Sequence, residues 1–116
     1  MVTIKSYTDL EQSKVLATIL PLESADMYYE PSTGYRTEPS EVRFGDIKYA
    51  HPRSIRCWSL AALLGVASKE VSLNSFKDGN WNAMVQQNDK MIYSDADNPV
   101  DACYGMILKL HELKNK

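Results

Sequence analysis

The sequence has no run of about 18 apolar residues, the length that a bilayer-spanning helix requires. Its beginning, Met1-Val2-Thr3-Ile4-Lys5, lacks the basic start, long apolar centre and small-residue cleavage site of a secretory signal. The expected address is therefore the cytoplasm, with no membrane partner. Cysteine is scarce: Cys57 and Cys103 are the two present, and they form no CxxC pair. Each sits beside apolar residues in an expected helix, so in a reducing compartment both read as small core side chains. An excess of positive charge is missing too. Thirteen Lys and Arg stand against 15 Asp and Glu, for a net charge of -2, which argues against a dedicated nucleic-acid binder with a broad basic face.

Catalytic signatures are also lacking. His51 and His111 belong to no HExxH or HxH arrangement, and no GxGxxG or GxxxxGK[ST] loop is present to cradle phosphate. Ser59 lies in Trp58-Ser59-Leu60, not in a GxSxG turn, and reads as a helix-start residue. Cysteine catalysis requires an exposed thiol beside a base, which the apolar settings of Cys57 and Cys103 oppose. Asp95, Asp97 and Asp101 suggest a cation loop, but the glycine and distal glutamate of an EF-hand are absent, and helix capping accounts for Asp101. No catalytic residue, cofactor or metal ligand is therefore assigned. More simply than as a ligand, His111 reads as a favourable group near a helix C-terminus.

What is present describes an ordinary globular chain. With 116 residues, 44% apolar and 24% charged, it is long enough for one hydrophobic core and is expected to form a single domain, 1–116. There is no internal repeat, linker or low-complexity tract. The strongest local signal is the last quarter, where Asn98 has the character of an N-cap, Pro99 of the first helical residue and Asp101 of position N3. Behind them Val100, Cys103, Met106, Ile107, Leu110 and Leu113 form an apolar stripe, while Lys109, His111, Lys114 and Lys116 gather near the negative helix end.

Upstream, Trp81–Gln87 and Lys90–Ser94 flank Asn88-Asp89, a pair suited to a tight hairpin. A two-residue turn would place Val85 opposite Ile92 and Ala83 opposite Ser94 on one face, leaving Met84 and Tyr93 on the other. Cys57–Val66 is apolar nearly all round and predicts a short buried helix. Thr8-Asp9-Leu10-Glu11 has capping-box spacing and opens an expected helix over 8–20, closed by Pro21. Ala25–Tyr29 has strand character, and Pro31–Gly34 is a turn that could return the chain through Tyr35-Arg36-Thr37. The expected fold is α+β: a small antiparallel sheet with an N-terminal helix, a short buried central helix and a C-terminal helix packed on the sheet.

Residues 38–56, punctuated by Pro39, Gly45 and Pro52, fit either one more strand or a long binding loop. Here the candidate binding surface falls: Tyr35, Arg36, Arg43, Phe44, Tyr49, His51, Arg53 and Arg56 interleave cations with rings, as single-stranded nucleic acid would require. Glu38, Glu41 and Asp46 balance that charge, so a solvated loop is the competing reading.

Three blocks carry a resemblance: Thr8–Ser13 through Leu20–Met27, then Cys57–Leu64, then Asp97–Cys103 through Leu113. Together they resemble small uncharacterised proteins encoded in phage-like and mobile elements of Bacteroidales gut bacteria. The resemblance implies an accessory role in a bacterial or phage cell and supplies no functional residues. The leading expectation is a non-enzymatic interaction module with a protein partner, or one that self-associates through a sheet edge or an exposed Tyr28-Tyr29 patch. The alternative is a nucleic-acid-binding regulator using 35–56.

Overall fold

The computed structural model describes residues 5–30, 41–44, 55–67, 71–87 and 89–114. The fold is α+β with two antiparallel sheets. Length alone predicts one domain. The backbone groups into two compact units, Tyr7–Ala62 on the one hand and Leu63–Lys116 with Met1–Ser6 on the other. Each unit closes a three-stranded sheet from strands within its own stretch of chain.

In the unit Tyr7–Ala62, α1 spans Leu10–Ala17. The capping box is present but shifted by one residue from the expected one. Asp9, not Thr8, is the N-cap: its carboxylate accepts from the Gln12 N–H at 2.8 Å, and the Gln12 side chain accepts from the Asp9 N–H at 3.1 Å. Thr8 is unavailable because it is fully buried and its hydroxyl serves the interior, accepting from the Trp58 N–H at 3.2 Å and bonding to Ser13 Oγ at 2.8 Å. The helix is also shorter than expected, giving way to a turn in which Leu20 N–H still reaches Leu16 O.

The sheet of this unit consists of β1 (Met27–Glu30), β2 (Glu41–Phe44) and β3 (Ile55–Cys57), in the order β2-β1-β3. Segment 38–56, expected to hold at most one strand, thus contributes β2 and the start of β3. The return strand opposite β1 is 41–44, with Tyr28 opposite Arg43 and Met27 opposite Phe44. The turn at 31–34 and Tyr35-Arg36-Thr37 lie outside the described residues. β3 pairs with the other side of β1, setting Met27 against Cys57. Among the described residues of this unit, Leu16, Met27, Cys57 and Trp58 are the buried apolar side chains.

The apolar run from Cys57 divides into three conformations instead of forming one helix. Cys57 ends β3, Trp58 is buried in the connection that follows, and α2 begins at Leu60 and runs to Ala67. Ser59 is a helix-start residue as expected, its hydroxyl accepting from the Ala62 N–H at 3.2 Å. Asp26 fixes this cap by accepting from both the Ser59 N–H and the Ser59 hydroxyl. Within α2, Leu63 is buried while Ala61 and Gly65 are exposed, so the helix is less enclosed than its composition suggests.

The second unit contains β4 (Ser72–Ser75), β5 (Trp81–Gln87) and β6 (Lys90–Ala96), in the order β4-β5-β6. The hairpin has the expected register, with Val85 opposite Ile92, Ala83 opposite Ser94 and Met84 opposite Tyr93. Asp89 takes a φ of 66°, the left-handed conformation that the tight turn demands and that Asp tolerates. α3 (Pro99–Lys114) packs against β5 and β6. Its start follows the expected chemistry, the Asp101 N–H donating to Asn98 Oδ1 at 2.8 Å and the Asn98 amide to the Asp101 carboxylate at 2.8 Å; spacing did not announce Lys5, whose Nζ donates to that carboxylate at 2.8 Å. Val100, Cys103, Met106, Ile107 and Leu110 are buried together with Ala83 and Val85. At Gly105 the helix comes so close to β6 that an added Cβ would overlap Ser94 Oγ and lie 3.0 Å from Ser94 Cβ.

Candidate interaction surface on the C-terminal hairpin

The surface expected from sequence is only partly described. Tyr35, Arg36, Tyr49, His51 and Arg53 lie outside the described residues, and of Arg43 and Phe44 only the backbone, paired in β2, is described. Arg56 is among the described residues. Its guanidinium donates to Ala17 O at 2.8 Å and Leu20 O at 3.4 Å, satisfying carbonyls left open at the end of α1. It also lies 6.0 Å from the centre of the Trp58 ring. Those contacts tie its donors to the fold. The Tyr28-Tyr29 pair is likewise not a free patch: neither ring is fully exposed, the Tyr29 hydroxyl donates to Thr8 O at 2.7 Å, and its ring meets Tyr7 edge-on.

Both cysteines are buried free thiols. Cys57 touches Thr8 Oγ1 at 3.5 Å, and burial pushes its thiol pKa up. Burial alone raises Cys103 from 9.0 to about 11. Tyr29 is shifted upward as well, first by burial and then by nearby Cys57. These groups hold their protons, so neither thiol is an activated nucleophile. The native state keeps thiol protons that the unfolded chain releases, so the thiols' contribution to stability should be level below about pH 9 and fall as the pH rises toward 11, at up to about 1.4 kcal/mol per unit per group. Denaturant titrations between pH 7 and 11 will measure the slope, and Cys103→Ala should reduce it. Iodoacetamide at pH 8 should label neither thiol until the chain unfolds.

The aspartates of the β6–α3 connection have partners of their own. Asp95 accepts from the Asn82 amide across the strands at 2.7 Å, Asp97 from the Asn98 amide at 2.9 Å, and Asp101 from Asn98 and Lys5. Among the described residues no three His, Cys, Asp or Glu side chains converge on a metal position, and no helix is long and apolar enough to cross a membrane.

A different surface emerges at the hairpin. Alternation along β6 sends Ile92 and Ser94 toward α3 and puts Met91 and Tyr93 on the opposite face, where they are 53% and 52% exposed. Lys109 reaches from α3 to this strand: its Nζ donates to Tyr93 O at 2.7 Å and lies 5.3 Å from the ring centre. Lys90, Met91, Ile92, Tyr93, Lys109 and Leu113 line a groove of about 270 Å³. Residue spacing disclosed half of this arrangement, since the hairpin register placed Tyr93 away from the buried face. It did not disclose Lys109, which spacing assigns to the helix terminus and which instead turns to the strand. The chain matches no family model, no curated protein and no solved structure.

Proposed function

We propose that this protein is a non-enzymatic accessory protein that works by binding another protein, and that β6 with the C-terminal half of α3 is its contact surface. The observation that carries the reading is the exposure of Met91 and Tyr93 beside the Lys109 ammonium. Large exposed apolar side chains grouped around a polar handle are the composition of an interface centre, where aromatic residues and methionine are enriched. The protonated thiols of Cys57 and Cys103 support a binding role over nucleophilic chemistry at either residue.

The test is site-directed photocrosslinking in the producing cell. With benzoylphenylalanine at position 93, irradiation should give a discrete protein adduct, whereas the same probe at the exposed turn residue Asp78 should not. Equal adducts at both positions, or none at 93, would overturn the assignment.

A further inference from the structure

We propose that the β6 edge takes up an extended acidic peptide segment as an added strand, with Lys90 and Lys109 binding its carboxylates; this rests on the reading of the β6–α3 groove as the contact surface. The edge geometry comes from the hairpin. Gln87 pairs with Lys90 across the two-residue turn, and the ladder continues through Val85–Ile92 and Ala83–Ser94. The backbone groups of Lys90, Ile92 and Ser94 therefore face β5, and those of Met91, Tyr93 and Asp95 face outward. Among the described residues no strand pairs with that outer side. An incoming strand would find a row of outward donors and acceptors, which is how β-augmentation gains affinity.

Charge selects the occupant. Among the described residues the groove lining holds two ammonium groups and no carboxylate, and Asp95, farther along the edge, has its carboxylate bonded by the Asn82 amide. A second copy pairing antiparallel at Tyr93 would bring one Lys109 against another beside the same carbonyls, a like-charge juxtaposition that disfavours self-pairing. An acidic strand reverses the sign of that interaction. Lys109 now donates to the neutral Tyr93 carbonyl at 2.7 Å. A carboxylate arriving beside the strand would draw it into a bond in which donor and acceptor are both charged, the stronger of the two, and release Tyr93 O for the new ladder. In the absence of a ligand the same lysine shields the edge, a common guard against unwanted pairing. Met91 and Tyr93, lying on the face of the strand, would pack against alternate apolar residues of the peptide.

The experiment titrates the isotope-labelled full chain with three blocked peptides of equal length: alternating glutamate and valine, alternating lysine and valine, and alternating threonine and valine. Amide resonances and hydrogen exchange are followed. The acidic peptide should shift and protect the amides of Met91, Tyr93 and Asp95, with affinity falling as salt is raised. Lys109→Glu should weaken it by about tenfold or more. Tighter binding of the lysine or threonine peptide at the same amides would overturn the acidic preference while leaving the groove as a contact surface. Failure of all three peptides to protect these amides would overturn strand addition. Protection of these amides in the free protein that grows with its own concentration would assign the edge to self-association instead.

Discussion

Trp58→Ala should destabilise the protein by about 3 to 5 kcal/mol, the range for removing a large ring from a closed interior. Trp58 is completely buried, and its backbone exchanges hydrogen bonds with Thr8, the N–H donating to Thr8 Oγ1 and the carbonyl accepting from Thr8 N at 2.9 Å. Its indole N–H donates to Ser24 Oγ at 3.0 Å, while that hydroxyl donates onward to Pro21 O at 2.6 Å. Losing the indole therefore strands no donor on Ser24. The cost is the vacated volume and the loss of a flat surface for the Arg56 guanidinium. Trp58→Phe keeps most of the ring and should cost far less, with about 1 kcal/mol assigned to the missing hydrogen bond. Urea titrations followed by far-ultraviolet circular dichroism will separate the two. Because Trp81 remains in both variants, tryptophan emission reports separately on the unit Leu63–Lys116. A loss below about 1 kcal/mol in Trp58→Ala would contradict a close-packed site.

Gly105→Val should cost about 2 to 3 kcal/mol through overpacking between α3 and β6. The serine hydroxyl can rotate away from an added Cβ, but the Ser94 Cβ at 3.0 Å cannot. Gly105→Ala balances a smaller collision against a gain in helix propensity of about 1 kcal/mol, so its net effect should be milder. The diagnostic comparison uses Ser94→Gly, which removes the colliding atoms. In that background Gly105→Ala should become neutral or stabilising, giving a coupling of about 1 kcal/mol or more in a double-mutant cycle. Additive effects would show that the helix does not approach the strand at this point.

The C-terminal half was the more legible part of the chain because each of its signals acts over a few residues. Asn98, Pro99 and Asp101 define a helix start by their own side-chain reach. The connection at 88–89 fixes hairpin register through the two-residue side-chain period, which is why Val85 faces Ile92 as spacing required. Legibility failed where a distant partner decides. Thr8 looks like a cap until Trp58, 50 positions on, claims its hydroxyl and passes the role to Asp9. Cys57 and Trp58 look helical because they adjoin an apolar helix, yet pairing with Met27 draws Cys57 into a sheet. β4 was not announced either: Ser72-Leu73-Asn74-Ser75 has one strong apolar residue, and its pairing with Trp81–Met84 supplies what local propensity does not. At the surface, composition drew attention to clustered cations, but cation count does not reveal engagement. Arg56 is held by α1 carbonyls, and Lys109 gains its meaning from a strand that spacing treats as a separate element.

The Arg56 contact also bears on the order in which the chain folds. α1 has eight residues, too few to persist as an isolated helix in water. The carbonyl of its last residue, Ala17, waits for a guanidinium encoded 39 residues further on. During synthesis the helix-forming sequence emerges well before the residue that closes its end. It should therefore remain unsettled until β3 has left the ribosome, and folding of the unit Tyr7–Ala62 should advance as one late step, not as a helix followed by a sheet.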